Sequence, residues 1–531
     1  MISLELGFAI IPGLILFLYG IEHFSREIQR MAGEQFRTLL AKLTANPLKG
    51  AFLGAIATSI VQSSTATTVI AVGLVDAGII SFANSIGVII GANVGTTLTA
   101  QLVALKLTYF APFFILLGFL TSLFGGRYRF LGKPLFYFGL VFFSLDLISQ
   151  AIEPFKTDPA LTGLFSQFSN IFVAIGAGFL FTIIVQSSSV TTGLVVLLVG
   201  GGLLTLGQGI PLIMGANIGT TVTSFIASIK LDIYAKRAAF AHFLFNFGGV
   251  LIFLPFIFAF ADVVESLGGT AAQQMANAHL AFNVIVAAIF LIAIRPFTAA
   301  VTRAIPGEDQ EVVFRPKYLN GKLPESNEEA CRSIGDEIAY SLEVTKQMYS
   351  YSIKILEGEA TLHKVEKLES LNDFLDDRIS ETILELSKRQ ISKKIATKTV
   401  LLVRMSNAIE QLGDMAKQLA VIANDGAESR FVLSKKSKSA LELSYSKFEE
   451  NLSLIANNAP ALSDKDRKII RRNDRILRAI ITSSYKDHLK RLYSQKAYAG
   501  SEFVELVSVI ESSNAKLREI RKLSEEYSRI Q

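Results

Sequence analysis

Residues 61–68 read VQSSTATT in the middle of a long apolar run, with Gln62, Ser63, Ser64, Thr65, Thr67 and Thr68 almost consecutive. Polar side chains are costly in such surroundings unless something satisfies them. The pattern returns at residues 185–192 as VQSSSVTT. Gln62 and Gln186 lie 124 residues apart, and GANVGTTLTA (91–100) and GANIGTTVTS (215–224) keep the same offset. Five of seven positions are identical between QSSTATT and QSSSVTT, and seven of ten between the GAN segments. Gly54 pairs with Gly178 and Thr58 with Thr182 at that spacing. Two motifs held at one offset without a gap indicate an internal duplication.

Charge divides the chain. Residues 1–301 hold 14 Lys and Arg and 11 Asp and Glu, whereas the remaining 230 hold 38 and 35. The first part is oily enough for several membrane helices; the second has the composition of a soluble domain. The net charge of +6 is spread over both parts and does not point to nucleic acid. The single Cys331 excludes an internal disulfide and offers no metal-ligand spacing. The opening MISLELGFAIIPGLILFLYG lacks a basic n-region, so it reads as a retained first span.

Spans are expected at about 5–23, 107–124, 134–151, 236–262 and 275–296, with helices near 84–105 and 208–229. The apolar segments 50–81 and 166–206 are each interrupted by their QSS motif. Each fits either one span plus a stub or a re-entrant hairpin with QSS at its tip. The hairpin choice puts Arg26, Arg30, Arg37, Lys42, Lys49, Arg127, Arg129, Lys133, Lys230, Lys236, Arg237, Arg295 and Arg303 on one face. Only Lys106 and Lys156 fall on the other, so the basic face is cytoplasmic. The two repeats (about 5–125 and 130–262) then run in opposite senses through the membrane, as in many secondary transporters. Residues 24–46 read as an amphipathic helix on the inner surface, with Ile28, Met31, Phe36, Leu39 and Leu40 on its apolar side.

Residues 302–325 carry Pro, Gly and charge without periodicity and read as a linker. From 326 to 531 the spacing is helical, with breaks near Gly358, Arg389, Gly426, Ser463 and Gly500. Six helices follow, arranged as two antiparallel three-helix units. The expected class is therefore all-α: a polytopic membrane domain over 1–301 plus a soluble helical bundle.

Single hydroxyls in membrane helices commonly bond a carbonyl one turn back or join helices. Two clusters, each followed by Asn-x-Gly-Thr-Thr, describe more than that. Unwound backbone survives at membrane depth only where protein or water satisfies it. Gly91, Gly95, Gly215 and Gly219 are expected to ease such unwinding. With no Arg or Lys inside either motif, an anion would be held by hydroxyls, Gln amides and helix N-terminal amides. The oxygens of the same side chains suit a hard cation such as sodium.

QSSSxTT in two halves, with GANxGTT after each, resembles the sodium/phosphate cotransporter family over about residues 5–300. The resemblance implies a sodium-coupled carrier of inorganic phosphate, not an enzyme, in the inner membrane of a prokaryote. Its phosphate and sodium residues carry over to Gln62, Ser63, Ser64, Thr65, Gln186, Ser187, Ser188 and Ser189, Thr65 standing where the first motif's third serine is expected. Asn93, Thr96, Thr97, Asn217, Thr220 and Thr221 form a second tier, coordinating ions or capping helix breaks. In AHFLFN (241–246) and AHLAFN (278–283), His and Asn share a helix face. They read as interhelical hydrogen bonding or as a proton or substrate contact.

The C-terminal part resembles the PhoU domain. AIEQLGDMAKQL (408–419) matches its E-x-x-x-D stretch through Glu410 and Asp414. That resemblance implies a metal cluster; the alternative reading of these acids is a surface acidic helix. The matching stretch at 509–517 has Glu511 but Ala515 in place of the acid, while Asp373, Asp376 and Asp377 lie nearby in sequence pattern. A homodimer or a regulatory protein is the partner expected there, and Lys435, Lys436 and Lys438 mark either a partner surface or a solvated helix start. Besides phosphate transport, carriage of another small oxyanion or sensing without transport remain open. Nothing supports a serine hydrolase: no G-x-S-x-G elbow surrounds these serines and no His base is close in sequence.

Overall fold

The structure is a computed structural model that describes residues 4–43, 46–105, 107–155, 158–307, 311–321, 323–428, 435–493 and 501–530. It divides into two compact units, Met1–Glu311 and Val312–Gln531. Among the described residues both are helical, with no strands.

The first unit opens with α1 (Leu4–Leu43), α2 (Pro47–Val61), α3 (Ser64–Asp76), α4 (Phe82–Ala104), α5 (Ala111–Phe124) and α6 (Gly132–Ile152). It continues with α7 (Pro159–Ser166), α8 (Ile171–Val185), α9 (Ser188–Gly200), α10 (Leu206–Ser228) and α11 (Ile233–Phe253). It closes with α12 (Ile257–Ser266), α13 (Ala271–Ile292) and α14 (Ile294–Ala304). The duplication holds helix by helix: α2, α3 and α4 have 15, 13 and 23 residues, and so do α8, α9 and α10, each shifted by the 124 read from sequence.

At about 1.5 Å per residue, α2 or α3 reaches only some 20 Å, short of a roughly 30 Å hydrocarbon core. Neither crosses alone. Among the described residues six other stretches are long and apolar enough to do so, α4, α10 and α13 included. The helix α5 buries only Ala111 and Gly118 and leaves Phe113, Leu116 and Phe119 exposed. An apolar surface of that kind belongs in lipid.

Two expectations change. First, the span at 5–23 and the amphipathic segment, as far as Leu43, form one continuous helix, α1. No proline or turn signal separates them, and Glu22–Arg26 and Glu27–Arg30 ion pairs carry the helix across the change in polarity. Met31 is exposed, while the side chains of Phe36, Leu39 and Leu40, like Lys106 and Lys156, lie outside the described residues. Second, α4 and α10 run unbroken through GANVGTT and GANIGTT. The glycines serve contact instead of unwinding. A Cβ on Gly91 would sit 1.9 Å from the Ala51 carbonyl oxygen, and one on Gly215 2.0 Å from that of Ile175. Only glycine lets the α2 and α8 backbones lie directly on α4 and α10.

The second unit holds α15 (Asn327–Leu356), α16 (Leu362–Ser387), α17 (Lys393–Glu428), α18 (Lys435–Ala456), α19 (Asp464–Tyr493) and α20 (Ser501–Ile530). The helices α15–α17 pack as one group and α18–α20 as another, joined where α17 meets α20 and α15 meets α18 around a single core. Tyr349 lies at the junction, its hydroxyl donating to Ser513 Oγ at 2.6 Å. Buried Glu337 accepts the backbone N–H groups of Lys317, Tyr318 and Leu319 at 2.8, 2.6 and 3.0 Å, so the segment before α15 is tied to this unit.

Candidate functional site

Each Gln-Ser pair turns the chain. Gln62 and Gln186 adopt left-handed backbone, φ 56° and 57°, and are the only non-glycine residues to do so among the described ones. Ser63 and Ser187 follow in extended conformation as N-caps of α3 and α9, accepting from Ala66 N and Val190 N at 3.2 and 3.4 Å. The reversal is sharp. In a straight helix Thr58 and Thr67 would stand about 13 Å apart along the axis; their hydroxyls instead bond at 2.9 Å. Thr182 and Thr191 repeat the contact at 2.7 Å. Both motifs are therefore the turns of tight helical hairpins, the local geometry that the second of the two forms left open by the sequence requires.

The two tips meet. Gln62, Ser63, Gln186 and Ser187, 124 residues apart in pairs, line one cavity of about 330 Å³. The third wall is α1, through Glu22, Ser25, Arg26 and Gln29. Ser25 is buried and donates to the Val61 carbonyl at 2.9 Å, fixing α1 against the last turn of α2, and Gln29 donates to Ser25 Oγ at 3.0 Å. Arg26 pairs with Glu22 at 2.5 Å, and both remain largely exposed to the cavity side.

Arg26 adds a cation to a lining whose motifs offer only neutral donors. The motifs contain no cation, but the helix passing their tips supplies one. Its signal was present as Glu22, at the end of the first expected span, and Arg26, four residues on in the segment read as an amphipathic helix on the inner surface. The N-termini of α3 and α9 also open at the tips. Amides of the first turn lie outside the helical ladder and carry the positive end of the helix dipole. First-turn amides, the Ser hydroxyls, the Gln186 side chain and one guanidinium, held by Glu22, surround a small cavity with a chemistry for a compact oxyanion, while the Gln62 amide is already engaged, its Nε2 donating to the Ser59 carbonyl.

The remaining residues divide. Gln62 is itself buried, its Oε1 accepting from Thr99 Oγ1 at 2.8 Å, whereas Gln186 is exposed. Ser64, Ser188 and Ser189 are buried, and Thr65 half-buried, in the first turns behind the caps. Thr96 reaches Ser64 at 3.4 Å. Asn93, Thr97, Thr220 and Thr221 bond carbonyls of their own helices at 2.9, 2.7, 3.0 and 2.7 Å. Asn217 donates to Asn283 at 3.1 Å, joining α10 to α13, and Ser224 bonds His242 Nδ1 at 3.0 Å. The second tier thus lies off the cavity, capping no break, and the His-x-x-x-Asn segments join helices. Asp76 accepts the backbone N–H of Asp232 at 2.8 Å, at the N-cap of α11.

In the second unit Glu410 and Asp414 do meet the acids of α16. Burial, then Glu369 and Asp414, pushes the Asp373 carboxyl up to about 6. Burial, then Asp414 and Asp373, raises Glu410. Lys417 holds Glu369 at 2.9 Å, and Ser406 bonds Asp376. No group of three or more His, Cys, Asp or Glu stands in metal-holding geometry among the described residues. Glu511 accepts from Tyr485 at 3.1 Å. Lys438 pairs with Glu442 at 3.9 Å, and the side chains of Lys435 and Lys436 lie outside the described residues.

Comparison with known proteins follows the same division. The chain is 33% identical over 298 residues to the uncharacterized protein YqeW of Bacillus subtilis, covering 56% of this chain and 97% of that one. It is 24% identical over 494 residues to the "Putative inorganic phosphate export protein YjbB" of Escherichia coli K12, 92% of this chain and 91% of the other. It is 38% identical over 138 residues to human sodium-dependent phosphate transport protein 2B, 24% of this chain and 20% of that one. No solved structure matches. The Na+/Pi-cotransporter family model matches twice, over residues 16–150 and 152–303, each match taking in one hairpin and its GAN helix. By that double match across more than half its length, the chain belongs to the Na+/Pi-cotransporter family.

Proposed function

We propose that the chain carries inorganic phosphate across a membrane in company with sodium, with the cavity between the two Gln-Ser tips as its substrate site. The observation that carries this reading is the convergence of both tips and Arg26 on one cavity of about 330 Å³. Phosphate would meet first-turn amides of α3 and α9, the hydroxyls of Ser63 and Ser187, and the Arg26 guanidinium. Sodium would draw on Gln, Ser and Thr oxygens of the motifs; a co-bound cation offsets the anion's charge, and both leave together. The positive-inside count supports oppositely inserted repeats and a cytoplasmic second unit in a prokaryotic inner membrane. Alternating access is then a rocking of the paired hairpins against α1, α5 and α6. The helical second unit acts as the regulatory part, with the PhoU-type arrangement as its expected relative.

Purified protein in liposomes tests this. Radiolabelled phosphate uptake under an inward sodium gradient should exceed that under a potassium gradient, and should fall at least tenfold in Gln62→Ala and Gln186→Ala. Equal uptake in both gradients sinks sodium coupling; uptake that survives both substitutions sinks the site. Outward flux is the second reading, favoured by the likeness, over nearly the full length, to a protein described as a phosphate exporter. Preloaded vesicles distinguish it.

A further inference from the structure

The second unit holds a cavity of about 760 Å³ between α17, α19 and α20 that the transport reading does not use. Five of its lining residues are cations: Arg404 on α17, Arg478 on α19, and Arg518, Arg521 and Lys522 on α20. Arg518, Arg521 and Lys522 share one helix face at spacings of three and four, where like charges repel. Arg404, Arg478, Arg518 and Lys522 make no ion pair or hydrogen bond among the described residues. Of the two lining carboxylates, Glu519 is already held by Lys516 at 2.9 Å. Arg521 is only 8% exposed and pairs with Glu525 through Nη1, yet its buried Nε has no partner. A desolvated guanidinium with an open donor, ringed by four uncommitted cations, is a costly arrangement for a bundle to keep empty.

We infer that this cavity binds a soluble anion carrying several linked phosphate groups. Guanidinium forks match phosphate oxygens in pairs of hydrogen bonds, and four of the five cations are arginines. The size excludes a lone orthophosphate as the sole fit: a water's share of volume is about 30 Å³, and one phosphate replaces only a few waters. No aromatic side chain lines the wall, so the phosphates, not a stacked base, are what it reads. The site makes the second unit responsive to a phosphate store chemically related to the carried ion.

The test uses the full chain in nanodiscs of zwitterionic lipid, with tripolyphosphate and orthophosphate as probes in titration calorimetry. The expected result is tripolyphosphate binding at least tenfold tighter than orthophosphate, weakened by salt. Arg404→Ala combined with Arg518→Ala should weaken it at least tenfold, and Gln62→Ala should leave it unchanged. Circular dichroism and melting establish that the double variant is folded; Lys522→Ala, at an exposed position, gives a milder second reading of the same loss. Absence of tripolyphosphate binding to the wild type, or equal binding by the double variant, overturns the inference. So does a result in which anionic lipid blocks tripolyphosphate and shifts melting of the wild type but not the variant, since the cations would then serve headgroups.

Discussion

Replacing Gly91 by alanine adds one methyl group where the α4 backbone meets α2. That Cβ would lie 1.9 Å from the Ala51 carbonyl oxygen and 2.7 Å from its carbon. Ordinary contact begins near 3.4 Å, so α2 must retreat by about 1.5 Å. The obstruction is main chain, which has no rotamer to change. Overpacking of this kind costs about 1–3 kcal/mol, and more when backbone must move. The shift passes to the Gln62 turn, because α2 ends there and Ser25 fixes α1 to Val61. Gly215→Ala should repeat the damage through Ile175, at 2.0 Å. Gly73→Ala and Gly176→Ala are the controls: a Cβ at either meets nothing within 4 Å. In a helix each should gain up to about 1 kcal/mol. The assay is thermal melting in one detergent, with phosphate flux on the same preparations. Loss of stability and flux in the first pair, with neither lost in the second, is expected. A Gly91→Ala protein that melts and transports like the wild type would refute the close packing of α2 on α4.

Arg26→Gln should raise the KM for phosphate roughly tenfold or more, one charge-assisted hydrogen bond being worth about 1.5–3 kcal/mol; Arg26→Lys should recover part of it, and an unchanged KM removes Arg26 from the site. Thr58→Val and Thr182→Val each remove the hydroxyl that joins the hairpin arms, and each should cost about 1 kcal/mol in melting, with the pair additive. Asp373 should make the second unit less stable as pH rises. Its folded carboxyl titrates at about 6, above the ordinary 3.8, so between these values the folded state binds more protons than the unfolded one. Asp373→Asn should therefore melt higher than wild type at pH 7–8 and match it near pH 4; the opposite order would contradict the crowding of Glu369 and Asp414 around it.

Much of this was legible in the chain because periodicity survives duplication. The 124-residue offset between the QSS motifs is the offset between α2 and α8, α3 and α9, and α4 and α10. Gly358 was readable as a break, and it holds φ 77° between α15 and α16. The GAN glycines were not readable in the same way. Glycine permits both unwinding and close approach, and only the partner backbone at Ala51 or Ile175 decides which. The left-handed backbone at Gln62 had no sequence signal, since Gln rarely adopts it. Arg26 escaped notice for a different reason. Its amphipathic segment has a strong surface pattern, and nothing local says that a helix continuing from a span will pass two hairpin tips.

The claim that both tips build one phosphate site can be tested by protection from a thiol reagent. Ser63→Cys and Ser187→Cys would be made separately with Cys331, the sole native cysteine, replaced by alanine. The account predicts that each new thiol is labelled in the absence of phosphate. Phosphate with sodium should slow both reactions, with the same half-maximal concentration. Protection of one position alone, or of the two at different concentrations, would contradict a single shared site.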